Sequence, residues 1–151
     1  MNEYCRKLRD LYNDKRIGIT FSCFDLLHAG HVNMLEDAKR YCDILIVGLQ
    51  SDPTIDRPEK NKPIMSLRER KIMINAIKWV DEIIEYNTEN DVKVILKSLN
   101  PDIRILGSDY LHKDFTGSDL DIPIYYHDRS IHRYSTTNLR KRVYNAEKEL
   151  R

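Results

Sequence analysis

The stretch Ile17-Gly18-Ile19-Thr20-Phe21, followed at once by Ser22-Cys23-Phe24-Asp25-Leu26-Leu27-His28-Ala29-Gly30-His31, constrains the fold more than any other part of the chain. The apolar run is short and stops in small polar residues, which predicts a buried strand. An amphipathic stretch from Val32 to Tyr41 leads out, with Val32, Leu35, Ala38 and Lys39 at helical spacing. The two histidines therefore sit at a strand-to-helix turn, on one face of the first helical turn. A helix start carries unpaired N–H groups and the positive end of the dipole, so it is a ready anion site. Two imidazoles added there can bind a phosphoryl group and stabilise charge that develops on it. No apolar burial of either ring is expected at such an end. The plainer alternative is that His28 caps the turn and His31 lies on the helix surface.

The rest of the chain repeats the alternation. Asp43–Leu49 is a second buried strand, and its continuous apolar character fits a parallel sheet covered on both faces. The loop from Gln50 to Pro63 holds three prolines and mixed charge. Ser66 reads as an N-cap with Glu69 completing a capping box, and Ile72, Met73, Ala76, Ile77 and Val80 as the apolar face behind it. An extended piece over 81–86, a helix from Glu89 to Leu99, a strand over 103–107 and a final strand over 122–126 follow. Pro123 suits a strand start or an edge. Ser135 or Thr136 opens a C-terminal helix that is basic on its outer face. Strands alternating with helices predict an α/β fold, a Rossmann-like parallel sheet with helices on both faces in a single domain.

Composition narrows the function classes. The 151 residues suit one domain with a sizeable core. Charged residues are 32% of the chain, yet they balance to a net charge of +1. No polyanion-binding excess exists, so no nucleic-acid partner is expected. No apolar run approaches membrane-spanning length, and Met1–Cys5 lacks a signal peptide's hydrophobic core. A soluble cytoplasmic protein with no membrane partner is expected. Cys5, Cys23 and Cys42 are scattered and read as free thiols. Basic residues are concentrated locally instead, with Arg57, Lys60, Lys62, Arg68 and Arg70 crowding one loop and the helix start after it. In an open parallel sheet that loop lies on the crevice edge that also holds the histidine turn.

His28-Ala29-Gly30-His31 matches the HxGH signature of the nucleotidyltransferase superfamily, and the longer run resembles the G-[TC]-F-D-L-L-H-x-G-H of cytidylyltransferases. The likeness runs from Ile17 to Lys141 and is closest to the glycerol-3-phosphate cytidylyltransferase family. Lys60–Arg70 is similar to the family's K-G-x-P-V-M-x-x-x-E-R, with Asn61 in place of the glycine. Asn75–Glu82 is similar to its R-Y-V-D-E segment, Gly107-Ser108-Asp109-Tyr110 to its G-x-D-W, and Arg129–Thr137 to its R-T-x-G-[IV]-S-T-[TS]. Two departures stand out. Ser22 replaces a glycine, and the stretch between Arg129 and Ser135 is one residue longer, lacks glycine and adds His132 and Arg133.

The resemblance implies a cytidylyltransferase domain over 16–145, with the charged and polar residues 1–15 expected as an N-terminal arm or short helix and 146–151 as a tail. It implies transfer of CMP from CTP to a small phosphorylated alcohol, most of all glycerol 3-phosphate, with Mg²⁺ carried mainly on the CTP phosphates and no dedicated protein metal site. His28, His31, Lys60 and Arg129 would be catalytic. Cys23, Phe24, Gly30, Asp109, Arg129, Ser135 and Thr136 would bind nucleotide. Asp25, Asp52, Lys60, Lys62, Arg70 and Lys78 would bind the acceptor. A homodimer through the Lys78–Glu82 segment is implied. Phosphoethanolamine or another phospho-alcohol as acceptor, ATP as donor, and a non-catalytic nucleotide-binding module are the alternatives.

Overall fold

The computed structural model describes all 151 residues. Its elements are α1 (Asn2–Leu11), β1 (Ile17–Ser22), α2 (Ala29–Lys39), β2 (Ile44–Gln50), α3 (Leu67–Asn75), β3 (Glu82–Tyr86), α4 (Glu89–Leu99), β4 (Ile103–Gly107), β5 (Ile124–His127) and α5 (Thr136–Glu149). Short 3₁₀ turns lie at Pro53–Ile55, Ser108–Tyr110 and Arg129–Ile131. All five strands are parallel, in the order β3-β2-β1-β4-β5. The expected α/β fold with a Rossmann-like parallel sheet is present.

Alternation along β2 explains why its sequence is apolar throughout. Leu45, Val47 and Leu49 face one way, into a core with Leu35 and Ala38 of α2, Ile74 of α3 and Ile103 and Ile105 of β4. Ile46 faces the other way, joining Cys5 and Leu8 of α1, Ile17 and Ile19 of β1 and Val92, Ile95, Leu96 and Leu99 of α4. Both faces of the central strands are thus covered by helices. Pro123 comes just before β5, an edge strand, so its missing N–H interrupts no ladder.

Details of α2 and α3 differ from the sequence reading. α2 starts at Ala29, so the histidine turn is itself the helix cap. In α3 the inward residues are Leu67, Arg70 and Ile74, while Ile72 and Met73 are exposed. The helix stops at Asn75, and its true inward stripe contains an arginine, which a search for apolar spacing passes over. In α1 the buried residues are Cys5 and Leu8, and Leu11 points outward, 68% exposed.

With β1 at the centre, chain order reverses between β1 and β4. In open sheets of this kind a crevice forms there, outside the carboxyl ends of the strands. Two of the predicted nucleotide-binding turns issue from that edge: β1 runs into Cys23–His31 and β4 into Ser108–Tyr110.

Candidate active site

A cavity of about 740 Å³ occupies this crevice. Its walls include Ser22 and Cys23 at the end of β1, His28, Gly30 and His31 at the start of α2, and Lys60 from the loop after β2. Gly107 and Asp109 after β4, and Arg129 and Thr136 after β5, complete the ring.

The turn between β1 and α2 is strained. Phe24 (φ 48°) and Leu26 (φ 49°) both occupy the left-handed region, which costs non-glycine residues of order 1 kcal/mol or more each. Several contacts hold it there. The Asp25 carboxylate accepts from the Ile64 and Met65 N–H groups at 2.9 Å, tying the turn to the following loop. Arg70, 1% exposed, donates to the carbonyls of Cys23, Gln50, Ser51 and Met65. Phe24 is buried beneath His31, with ring centroids 5.3 Å apart. Ser22 belongs to β1, so the family glycine is not needed there; the left-handed residues come two and four positions later.

His28 is the N-cap of α2 and accepts the Gly30 N–H at its Nδ1 (3.0 Å), while His31 Nδ1 accepts the His28 N–H (3.2 Å). The histidines thus form a capping box, a function that Ser/Thr and Glu/Gln usually perform. The chemical consequence is specific. Backbone donors hold both Nδ1 atoms as acceptors, so each neutral ring carries its proton on Nε2. The rings stack at 3.9 Å. Burial pushes the His31 imidazolium down to about 3, helped by His28 and then Arg129. Burial first, then Arg129 and His132, pushes His28 down as well. Both are therefore uncharged N–H donors at neutral pH. The expectation of no apolar burial is corrected for His31, which sits on Phe24. The capping and phosphate-binding readings of the pair are also not alternatives, because capping fixes the donors. Gly30 is needed because a Cβ there would lie 2.8 Å from the His28 ring and 3.0 Å from Tyr134 Cβ.

A second helix start meets the first. Ser135 caps α5, its hydroxyl accepting from Asn138 N–H at 3.1 Å. Thr136, the first residue of α5, has its Oγ1 3.2 Å from His28 Nε2, whose N–H it accepts. Two positive dipole ends therefore converge on one spot. Arg129 faces it, 3.4 Å from Asp109. Burial raises the Cys23 thiol, which leaves it protonated and no nucleophile.

Other predicted residues are placed differently. Phe24 and Arg70 are buried supports, and neither lines the main cavity. Asp25 is occupied by backbone donors. It lines a smaller hollow of about 170 Å³ that shares Ser22, Cys23, His31 and Thr136 with the main cavity and adds Asn61, Thr137 and Arg140. Asp52 caps the 3₁₀ turn through Thr54 and lies off both hollows, as does the exposed Lys62. Lys78 is a correction. It lies over the Trp79 ring at 4.8 Å, beside Asp81, whose carboxylate accepts from Leu45 N–H at the start of β2. That is the amino end of the sheet, opposite the crevice, so Lys78 cannot reach an acceptor bound there.

The cavity also recruits Arg104, which the sequence reading left out, and Arg57 of the basic loop, to which it gave no individual role. Arg104 projects from β4 over the rings of Phe21 and Phe115 and donates to the Thr116 carbonyl. Arg57 pairs with Glu89 at 2.9 Å and with Gln50. The signal for Arg104 was a lone cation inside the apolar run Ile103-Arg104-Ile105.

Residues 19–142 match the family model described as cytidylyltransferase-like. The chain belongs to the cytidylyltransferase-like family. Membership gives it the coarse identity of a nucleotidyltransferase, acting on a nucleotide. It is 40% identical over 114 residues to the bifunctional protein HldE of Helicobacter pylori (strain ATCC 700392 / 26695), covering 75% of this chain and 24% of that protein. It is also 40% identical over 109 residues to HldE of Campylobacter jejuni subsp. jejuni serotype O:6 (strain 81116 / NCTC 11828), 72% of this chain and 23% of the relative. The chain thus spans about a quarter of the length of these curated relatives. Among solved structures it resembles the lipopolysaccharide core biosynthesis protein of Thermoplasma volcanium GSS1. There the TM-score is 0.62 and the identity 26%, over 76% of this chain and 99% of that one. The pantoate-beta-alanine ligase of Francisella tularensis shares the fold, with a TM-score of 0.62 at 18% identity over 92% of this chain and 70% of that one. The cytidylyltransferase-like chain has no helix long and apolar enough to cross a membrane.

Proposed function

We propose that the chain transfers CMP from CTP to a phosphate oxygen of a small phosphorylated alcohol, glycerol 3-phosphate before others, releasing pyrophosphate. The observation that carries this reading is the convergence of the α2 and α5 N-termini on one cavity, joined through His28 and Thr136. The place is rich in N–H donors and holds no activated nucleophile. That suits a reaction whose nucleophile arrives already as an oxyanion. The acceptor oxygen bonds to the α-phosphorus while the bond from that phosphorus to the bridging β-oxygen breaks, and the electron pair leaves with pyrophosphate. His28 and His31 donate Nε2–H to the α-phosphoryl oxygens as charge grows there, Thr136 Oγ1 giving up the His28 proton it accepts in the free chain. Lys60, exposed at the rim, holds phosphate oxygens. Arg129 and the N–H groups of Ser135 and Thr136 hold the β- and γ-phosphates.

Mg²⁺ fits only as a companion of the nucleotide. No group of three His, Cys, Asp or Glu is placed to hold a metal ion, so the triphosphate oxygens would carry it, with Asp109 on the same wall. When bound it neutralises phosphate charge. The same reading takes the chain as a homodimer formed through Lys78–Glu82. Light scattering should give twice the chain mass, and a monomer mass at micromolar concentration opposes it.

ATP as donor is the second reading, favoured by a cavity of about 740 Å³, which admits a purine as readily as a pyrimidine. The test is pyrophosphate release across CTP and ATP crossed with glycerol 3-phosphate, phosphoethanolamine and other phospho-alcohols. Turnover with CTP and glycerol 3-phosphate above all others is expected. Nucleotide binding without any pyrophosphate release would make the chain a binding module instead.

A further inference from the structure

A second histidine pair lines the same cavity, and one member, His132, belongs to the segment that departs from the family pattern. His127, at the end of β5, is 1% exposed. Its Nδ1 lies 2.7 Å from Asp37 Oδ2, and its Nε2 lies 3.2 Å from His132 Nε2. Asp37 also accepts from the Tyr125 hydroxyl at 2.8 Å. His132 stacks on Tyr134, with ring centroids 5.6 Å apart. Its other ring nitrogen, Nδ1, is buried and has no hydrogen-bond partner.

The polarity of this chain of groups follows from its anchor. A carboxylate only accepts, so His127 holds a proton on Nδ1. With one proton per imidazole, His127 Nε2 is then a bare acceptor, and His132 must carry its proton on Nε2 to satisfy it. That leaves His132 Nδ1 as a bare acceptor too. A buried acceptor without a donor costs about as much as a lost hydrogen bond, so it favours any ligand that brings an N–H to it. The segment 129–134 that carries it lies between Arg129 and the α5 cap, the two elements that hold phosphates in the reading above. The flat Tyr134–His132 pair beside them offers a surface to a base.

We propose that His132 Nδ1 accepts a hydrogen bond from the exocyclic amino group of the bound nucleobase, and so selects amino-bearing bases (cytosine, adenine) over keto-bearing ones (uracil, guanine). A keto oxygen at that position would set one lone pair against another. Asp37 and His127 act as positioning residues, since they fix which nitrogen of His132 is bare. The proposal rests on the reading of the cavity as a nucleoside triphosphate site, and it does not depend on the acceptor.

The test is binding of CTP, ATP, UTP and GTP to the whole chain by calorimetry at pH 8, above the ordinary imidazole range of about 6.5. CTP and ATP should bind at least about tenfold more tightly than UTP and GTP, the scale on which an unpaired polar group discriminates. His132→Ala should bring the amino-to-keto ratio within about threefold. Asp37→Asn, which lies off the cavity wall and no longer dictates the proton on His127, should narrow the same ratio. A merely structural role would weaken all four nucleotides alike. Absence of binding by all four overturns the nucleotide site and this inference with it. Binding with no amino preference, or a preference unchanged in His132→Ala, overturns the inference alone. Should Asp37→Asn unfold, seen as lost cooperative melting, the His132→Ala ratio decides.

Discussion

The two histidine pairs on this cavity are built alike and face the ligand with opposite polarity. His28 and His31 stack at 3.9 Å, His127 and His132 at 5.4 Å, and in each pair hydrogen bonds from behind the rings fix where the protons sit. In the first pair the tie is a backbone N–H, so Nδ1 accepts and Nε2–H is left to donate. In the second the tie is the Asp37 carboxylate, so the protons run the other way and a bare Nδ1 is left to accept. A donor suits a phosphoryl oxygen and an acceptor suits an amino group. What an imidazole can do here is decided by its rear partner, and the ring by itself says little.

The largest effect should come from separating capping from donation in the first pair. His28→Asn keeps a good N-cap but removes the Nε2–H donor. Pyrophosphate release should fall about 10²–10³-fold while the melting temperature barely moves. A near-normal kcat at saturating nucleotide would assign His28 to capping alone. His31→Ala loses donor, cap and the packing on Phe24, so it should lose both rate and stability.

Behind the first pair stands Arg70, whose guanidinium satisfies four carbonyls of the strained turn and its neighbours. Arg70→Met should cost about 3 kcal/mol or more in urea unfolding, because those buried acceptors lose a charged donor together. A cost below about 1 kcal/mol would mean that the turn holds itself.

The pH dependence of stability gives a third contrast. His31 is depressed to about 3 when folded, against an ordinary value of about 6.5. Between those limits the unfolded chain binds the extra proton, so stability rises with pH. The contribution of neutral His31 is complete above about pH 6.5 and is lost as pH falls toward 3, by up to about 1.4 kcal/mol per pH unit. His31→Gln should flatten that slope in urea titrations between pH 4 and 6. An unchanged slope would show that the ring is not buried neutral.

The smallest expected effect concerns the rim. Lys60 lines the cavity and Lys62 does not. Lys60→Ala should raise KM for nucleotide about tenfold, and Lys62→Ala less than about twofold. The reverse order would shift the loop's register by two residues.

How legible the site was depended on whether a residue's partner is near it in sequence. The strand, turn and helix around the first pair are local, so the sequence located His28 and His31 and the Ser66–Glu69 cap, and narrowed the α5 cap to Ser135 or Thr136. The parallel sheet followed from the alternation of apolar runs. The reading failed wherever a polar side chain turned inward to a distant partner. Arg70 appeared to be a substrate-binding cation because nothing local marks the carbonyls of Cys23 and Gln50 as its partners. Lys78 was assigned to the acceptor on motif likeness, and only the sheet places it at the wrong end. His127 and Asp37 lie 90 positions apart, so their pairing had no sequence signal at all.

The polarity of the histidines is the claim on which the chemistry rests, and nitrogen-15 NMR of the imidazole rings at pH 7 reads it directly. His28 and His31 should each appear neutral, protonated at Nε2 and bare at Nδ1, with His127 bearing its proton on Nδ1. Cationic rings in the first pair, or a proton on either of their Nδ1 atoms, would contradict the capping-fixed donors and the mechanism built on them.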